Sequence, residues 1–195
     1  MILKKLSYTL IIIGAILLCG TYYISYKEKE NTKDLIASFK EIPSSSKTSG
    51  AKKSSTDYKI GDLIGILTIP AISLEIPILE GTEEEVLDKG AGHLTQSGAL
   101  AKENENFIIA GHRSHIKGRF FNRLNDLEKG DVFYIQTSSE KLKYKIIKKR
   151  VILPTDFNAL REIKGKALTT LVTCHPMYSS KKRLIIIAEQ IAADS

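Results

Sequence analysis

The sequence predicts an all-β domain, a closed or nearly closed barrel or sandwich, held behind an apolar N-terminal segment. Three observations predict it. Short, β-branched, partly alternating runs recur from Ile64 to Glu189, and Pro and Gly punctuate them. No helical pattern between the runs is long enough for the crossovers of a βαβ enzyme.

The strand signals fall, in order, at 64–70, 74–80, 106–110, 132–136, 141–147, 167–173 and 183–189. The run 141–147 alternates Lys with apolar residues, as a half-buried strand does. Two short helices are expected, at 82–87, where Glu83, Glu84 and Glu85 suit a first turn, and at 119–124.

A chain of 195 residues has room for one ordinary domain plus extras, and not comfortably for two. Its formal charge of +7 suggests an anionic neighbour. The cations are spread along the chain, however, and the densest clusters, 148–150 and 181–183, carry no interleaved aromatics. That argues against nucleic-acid binding and for a solvated basic surface.

No residue from Leu6 to Tyr26 is charged, and about 20 apolar residues suffice to cross a bilayer core of roughly 30 Å. Lys4 and Lys5 precede the run, and Tyr22, Tyr23 and Tyr26 suit an interfacial belt. The expected order is therefore a cytoplasmic N-terminus at 1–5, a transmembrane anchor at 6–26, an extracellular linker at 27–57 and a folded domain at 58–195. A cleaved signal peptide is the rival reading, but no small-x-small site follows the apolar core. Leu17-Leu18-Cys19-Gly20 is a poor lipoprotein site, because a bulky Leu stands before the cysteine. Either reading exports the domain. In the linker, Leu35, Ile36 and Phe39 have helical spacing, and 43–56 is polar and low in complexity.

The two cysteines are Cys19, inside the apolar run, and Cys174. A disulfide between them would join membrane to soluble domain, which is implausible, so Cys174 is an unpaired thiol in an exported domain. It follows a strand and precedes Pro176, a place from which a side chain can enter a groove. The plain alternative is a small buried hydrophobe. His112, in Ala110-Gly111-His112-Arg113, leaves another strand end after a Gly turn and is a candidate proton carrier. His93, His115 and His175 are its rivals. His175 is poorly placed to serve its neighbour's thiol, because adjacent residues on an extended chain face opposite ways. Arg183 opens the last strand. If that strand lies beside the one ending at Cys174, the guanidinium could support a developing oxyanion. Otherwise it is one cation of a solvated edge.

Thr170-Leu171-Val172-Thr173-Cys174 closely resembles the Thr-Leu-x-Thr-Cys signature of the sortases, the Gram-positive surface-protein transpeptidases. Ala110-Gly111-His112-Arg113 resembles the segment bearing their catalytic histidine, and Arg183 falls where their essential arginine is expected. The anchor, the linker and Gly65-Ile66-Leu67-Thr68-Ile69-Pro70 also look like that family, and the resemblance covers roughly residues 60–190 in order. It implies a closed eight-stranded sortase-type β barrel over 58–195. It also implies Cys174 as nucleophile, His112 as general acid/base, Arg183 as oxyanion and substrate support, and Thr173 as a substrate contact.

The reaction so implied is cleavage of a Leu-Pro-x-Thr-Gly-like sorting signal after Thr through a thioacyl enzyme. The acyl group then passes to an amine of a cell-wall precursor or a pilin. Cationic Arg183 and an imidazolium on His112 would both favour the thiolate. No Cys-His-Asp triad is required, no cofactor is implied, and the acids Glu103 and Glu105 match a calcium site too poorly for calcium to be expected. The ending Ala192-Ala193-Asp194-Ser195 and the absence of a lid motif favour a housekeeping or class D-like member over a pilin polymerase, and His175-Pro176 looks nearer to class D. Two other functions share these residues in part: an exported cysteine peptidase that only hydrolyses, and a tethered cell-wall-binding module without chemistry.

Overall fold

The computed structural model describes residues 11–23, 30, 36–37, 58–114 and 120–192. Residues 11–23 form helix α1, on which Cys19 is exposed. Among the described residues no helix is long and apolar enough to cross a membrane. The expected span 6–26 extends past the described residues at both ends. The linker 27–57 lies outside them except at 30 and 36–37, which are helical.

Eight strands follow: β1 (Leu63–Ile69), β2 (Leu74–Glu80), β3 (Ala91–His93), β4 (Glu105–Ala110), β5 (Val132–Gln136), β6 (Lys141–Ile152), β7 (Ala167–His175) and β8 (Lys182–Ile191). They close into a barrel in the order β1-β2-β3-β4-β7-β8-β6-β5. Closure leaves no sheet edge with unpaired amides and carbonyls. Among the described residues of the domain the one α-helix, α2 (Glu84–Leu87), is a single turn in the β2–β3 connection that buries Val86.

Three elements differ from the sequence expectation. β3 gives no periodic signal because it is three residues long and two of them, Ala91 and Gly92, have little or no side chain. Gly92 is required there, since a Cβ would collide with the carbonyl of Gly81. β6 runs to Ile152 rather than 147, because a register shift between Ile146 and Lys148 bends it and lets its second half continue along β8. The segment 119–124 also differs: among its described residues it is a turn, and the helical geometry there is a 3-10 turn at Leu124–Asp126.

The barrel interior holds Leu67, Ile78, Ile109, Phe121, Ile135, Leu171 and Ile186, with Phe133 stacked on Tyr144 at 5.3 Å between ring centroids. Each such side chain contributes about 1.5–3 kcal/mol by leaving water. A second cluster of Ile152, Leu168, Ile185 and Ile187 packs on the outer face beneath the turn Phe157–Leu160. β8 is thus buried on both faces, which is why Leu184-Ile185-Ile186-Ile187-Ala188 reads as a continuous apolar run without alternation.

Strand direction fixes which residues share a barrel end. β4 and β7 are parallel, while β8 runs against β7 and β6 against β8. The C-terminal ends of β4, β7 and β6 therefore meet the N-terminal end of β8. The chain enters β1 at the opposite end, because β1 is antiparallel to β5, which is antiparallel to β6.

Candidate active site

Cys174 and Arg183 are direct partners across the β7–β8 ladder. The strands that the sequence left unpaired lie side by side, and thiol and guanidinium emerge at one barrel rim. Cys174 is the penultimate residue of β7, not the first of the following loop. It is partly exposed and free of any disulfide.

His112 reaches the same rim from the other flank of β7. β4 and β7 run in parallel register from Glu105 opposite Ala167 to Ala110 opposite Val172. The ladder extends one step further, as the Gly111 amide donates to the Val172 carbonyl at 3.1 Å. Continued by two residues, that register sets His112 opposite Cys174. His112 thus leaves the end of β4 at the rim where Cys174 and Arg183 are paired, and the extended register would complete a row of the three.

Gly111 has a steric role in this row. A Cβ there would come within 2.7 Å of the Phe121 ring, so only Gly lets β4 close on that core residue immediately before His112. The His112 ring packs edge-on against Phe120, 6.3 Å between centroids. Asp88 Oδ1 stands 3.8 Å from His112 Nε2, beyond hydrogen-bond range, with both side chains largely exposed. The arrangement is a Cys-His-Arg row rather than an acid-anchored triad.

Thr173 is buried, and its hydroxyl donates to the Gly111 carbonyl at 2.8 Å. Its side chain ties the two strand ends together inside the barrel. Arg183 Nη1 donates to the Ser180 carbonyl at 2.7 Å and the Lys182 carbonyl at 3.1 Å, so the β7–β8 turn holds the guanidinium.

Arg113 was legible in the sequence only as the residue after His112. In the structure its Nη1 donates to the Cys174 carbonyl at 3.3 Å and to His175 Nδ1 at 2.8 Å. His175 Nδ1 is thereby engaged by Arg113. Burial, and then the positive charges of Arg113 and Lys182, hold its imidazole below the ordinary histidine range.

The other rival histidines separate cleanly. His115 lies outside the described residues. His93 is buried, 1% exposed, and its Nδ1 meets Glu80 Oε2 at 2.8 Å while its Nε2 meets Ser97 Oγ at 3.0 Å. That is the order of an acid–base–hydroxyl relay, but nothing around it could stabilise an oxyanion. The Ile108 amide donates to the Ser97 hydroxyl itself, and the Gly98 and Ala99 amides are occupied by Asn106 O and Glu105 Oε2. The relay is a buried clasp between β2, β3 and β4, with His93 stacked on Phe107 at 4.0 Å.

Beyond Arg183 the rim continues to Ile152, its partner on β6, and then to Leu153 and Phe157, which are 57% and 71% exposed. Among the described residues no group of three His, Cys, Asp or Glu could hold a metal ion.

Comparison with known proteins gives a consistent result. The sortase-domain family model matches residues 67–191. Sortase D of Bacillus subtilis (strain 168) is 33% identical, covering 71% of this chain and 69% of that protein. Sortase A of Bacillus anthracis is 26% identical, covering 93% of this chain and 91% of that one. Among solved structures, sortase A from Corynebacterium diphtheriae matches with a TM-score of 0.65 at 32% identity, over 69% of this chain and 63% of that chain. Sortase C1 from Streptococcus agalactiae matches with a TM-score of 0.64 at 32% identity, over 68% and 69%.

Proposed function

The chain belongs to the sortase family of cysteine transpeptidases, and from that premise we propose that it cleaves a Leu-Pro-x-Thr-Gly-like sorting signal after Thr and joins the released carbonyl to a cell-wall amine. The observation that carries this reading is the row of His112, Cys174 and Arg183 on the ends of β4, β7 and β8.

Sγ of Cys174, as thiolate, attacks the Thr carbonyl carbon, and the carbonyl π electrons move to its oxygen. Arg183 supplies a charged donor to that oxyanion. As the tetrahedral species collapses, the C–N bond breaks and His112 gives its proton to the leaving amine. A thioester remains on Cys174. The acceptor amine attacks it, His112 takes the amine's proton, and the thiolate leaves. Thr173, buried with its hydroxyl held by Gly111, acts on substrate only through the position it gives Cys174. Leu153 and Phe157 offer an apolar surface for the signal's leucine.

The domain works outside the cell, held by an anchor at 6–26 and a linker at 27–57. Entry of the chain at the barrel end opposite the row supports this, since a tether there points the reactive rim away from the membrane. Its substrates are surface-protein precursors bearing C-terminal sorting signals, and its acceptor is an amine on a cell-wall precursor or a pilin.

The test is to incubate the chain with a Leu-Pro-x-Thr-Gly peptide, with and without triglycine. Expected are a thioacyl adduct on Cys174 by mass spectrometry and a peptide–triglycine product. Hydrolysis unaffected by added amine would reduce the reading to a peptidase. Unaltered cleavage by Cys174→Ala would end it.

A further inference from the structure

We propose that Arg113 is a positioning residue that holds Cys174 opposite His112 by bonding the nucleophile's own carbonyl and the ring of the residue after it. Three successive rows carry the inference. The parallel pairing ends with Ala110 opposite Val172; carried past that point, its register would align Gly111 with Thr173, His112 with Cys174 and Arg113 with His175, and the side-chain bonds follow that order. In the first row Thr173 Oγ1 donates to the Gly111 carbonyl. In the third, Arg113 Nη1 donates to His175 Nδ1 at 2.8 Å and reaches back to the Cys174 carbonyl at 3.3 Å. The reacting pair is bracketed by one tie on each side, beyond the point where the backbone ladder stops.

The bracket is needed because the middle row cannot hold itself. His112 and Cys174 are both partly exposed, and the last backbone bond between the strands is that of Gly111. A displacement of about 1 Å between nucleophile and acid can lower a rate roughly 100-fold.

The environment of Arg113 is unusual for a structural cation. Its Nε is buried with no hydrogen-bond partner, and among the described residues it makes no ion pair. The side chain as a whole is partly exposed, and both acceptors it finds among the described residues are neutral. Both acceptors it does find belong to the strand end that bears the nucleophile.

The contact also fixes the proton of His175. An Nη1 donor at 2.8 Å requires Nδ1 to be unprotonated, leaving hydrogen on Nε2. The charged groups facing this ring are Arg113 from the end of β4 and Lys182, its partner on β8. Both oppose protonation.

The experiment pairs kinetics, which rest on the proposed transpeptidation, with two measurements that do not. In the full chain labelled with 15N-histidine, the His175 side-chain shifts are expected to show bare Nδ1 and protonated Nε2. Arg113→Ala is expected to lower kcat for peptide cleavage by about 10- to 100-fold with KM within about twofold, and to slow alkylation of Cys174 by iodoacetamide. Arg113→Lys, which keeps the charge but not the planar fork, is expected to stay near the Ala variant. A protonated Nδ1 on His175 in the wild type overturns the proposal, even if Arg113→Ala fails to fold. So does a folded Arg113→Ala with unchanged kcat and alkylation rate. If the wild type fails to turn over the peptide, the proposed function falls, and the NMR and alkylation results still decide the role of Arg113.

Discussion

Arg183 donates through Nη1 to two carbonyls of the turn before it, Ser180 and Lys182, while its backbone is paired with Cys174. A lysine could supply the charge but not a fork that holds the turn with one nitrogen and presents others to an oxyanion. Arg183→Lys is therefore expected to lose about 100-fold or more in kcat/KM, most of it in kcat. Retention of activity within a few-fold would remove Arg183 from the row's chemistry. His175 permits a separate prediction. Its imidazole is held below the ordinary histidine range by burial, Arg113 and Lys182, so the unfolded chain binds that proton more readily than the folded one. Stability must then fall as pH drops below about 6.5, the unfolded value, while above it both states are neutral and nothing is gained or lost. Thermal melts from about pH 7.5 to 5 are expected to show a smaller acid loss in His175→Gln than in the wild type. Equal slopes would show that this ring does not contribute. The contact of Arg113 with His175 could not be read from sequence, because the two are 62 positions apart.

At the scale of elements, the close fit of β4 on Phe121 puts the site and the core in direct contact. Gly111→Ala must displace a ring whose nearest atom would lie 2.7 Å from the new methyl. Overpacking of this kind costs typically about 1–3 kcal/mol, and here it also shifts His112. The expected result is a lower melting temperature together with a kcat loss larger than that of a core substitution of equal destabilisation. The clasp of Glu80, His93 and Ser97 joins three strands at the buried centre of the same sheet. His93→Ala strands a carboxylate that is 1% exposed and is expected to destabilise by about 3–5 kcal/mol, measured by urea unfolding. On the β6–β7 connection, Phe157→Ala is expected to raise KM for an apolar-led signal peptide several-fold with kcat retained. Fold stability should barely change, because the ring is 71% exposed. A change in kcat alone would remove Phe157 from the binding surface.

For the whole molecule, the entry of the chain and the reactive rim lie at opposite barrel ends, an arrangement suited to a tethered enzyme that reaches outward. Intact cells treated with a membrane-impermeant maleimide are expected to label Cys174, and deletion of 1–26 is expected to move the protein from the membrane to the soluble fraction. Protection of Cys174 in intact cells but not in lysates would place the domain inside. The all-β class and the position of most strands were legible because β-branched residues alternate along them and turns separate them. β3 was not, since Ala91-Gly92-His93 has too few side chains to show a period. Consecutive antiparallel neighbours such as β7 and β8 were open to a sequence reading, but the closing order was not, because the parallel pairs, β2 with β3 and β4 with β7, join strands that no hairpin connects.

Primary structure alone places telling residue types near strand ends: a lone thiol after Thr170-Leu171-Val172-Thr173, a histidine after a glycine, an arginine at the start of the final strand. Local pattern decides that much, since strand propensity and turn chemistry act over a few residues. Folding alone brings these three ends to one rim, buries His93 in a clasp with Glu80, and sets Arg113 against the Cys174 carbonyl and His175. Those outcomes depend on register between strands distant in the chain, and register is set by closing the barrel around one shared core.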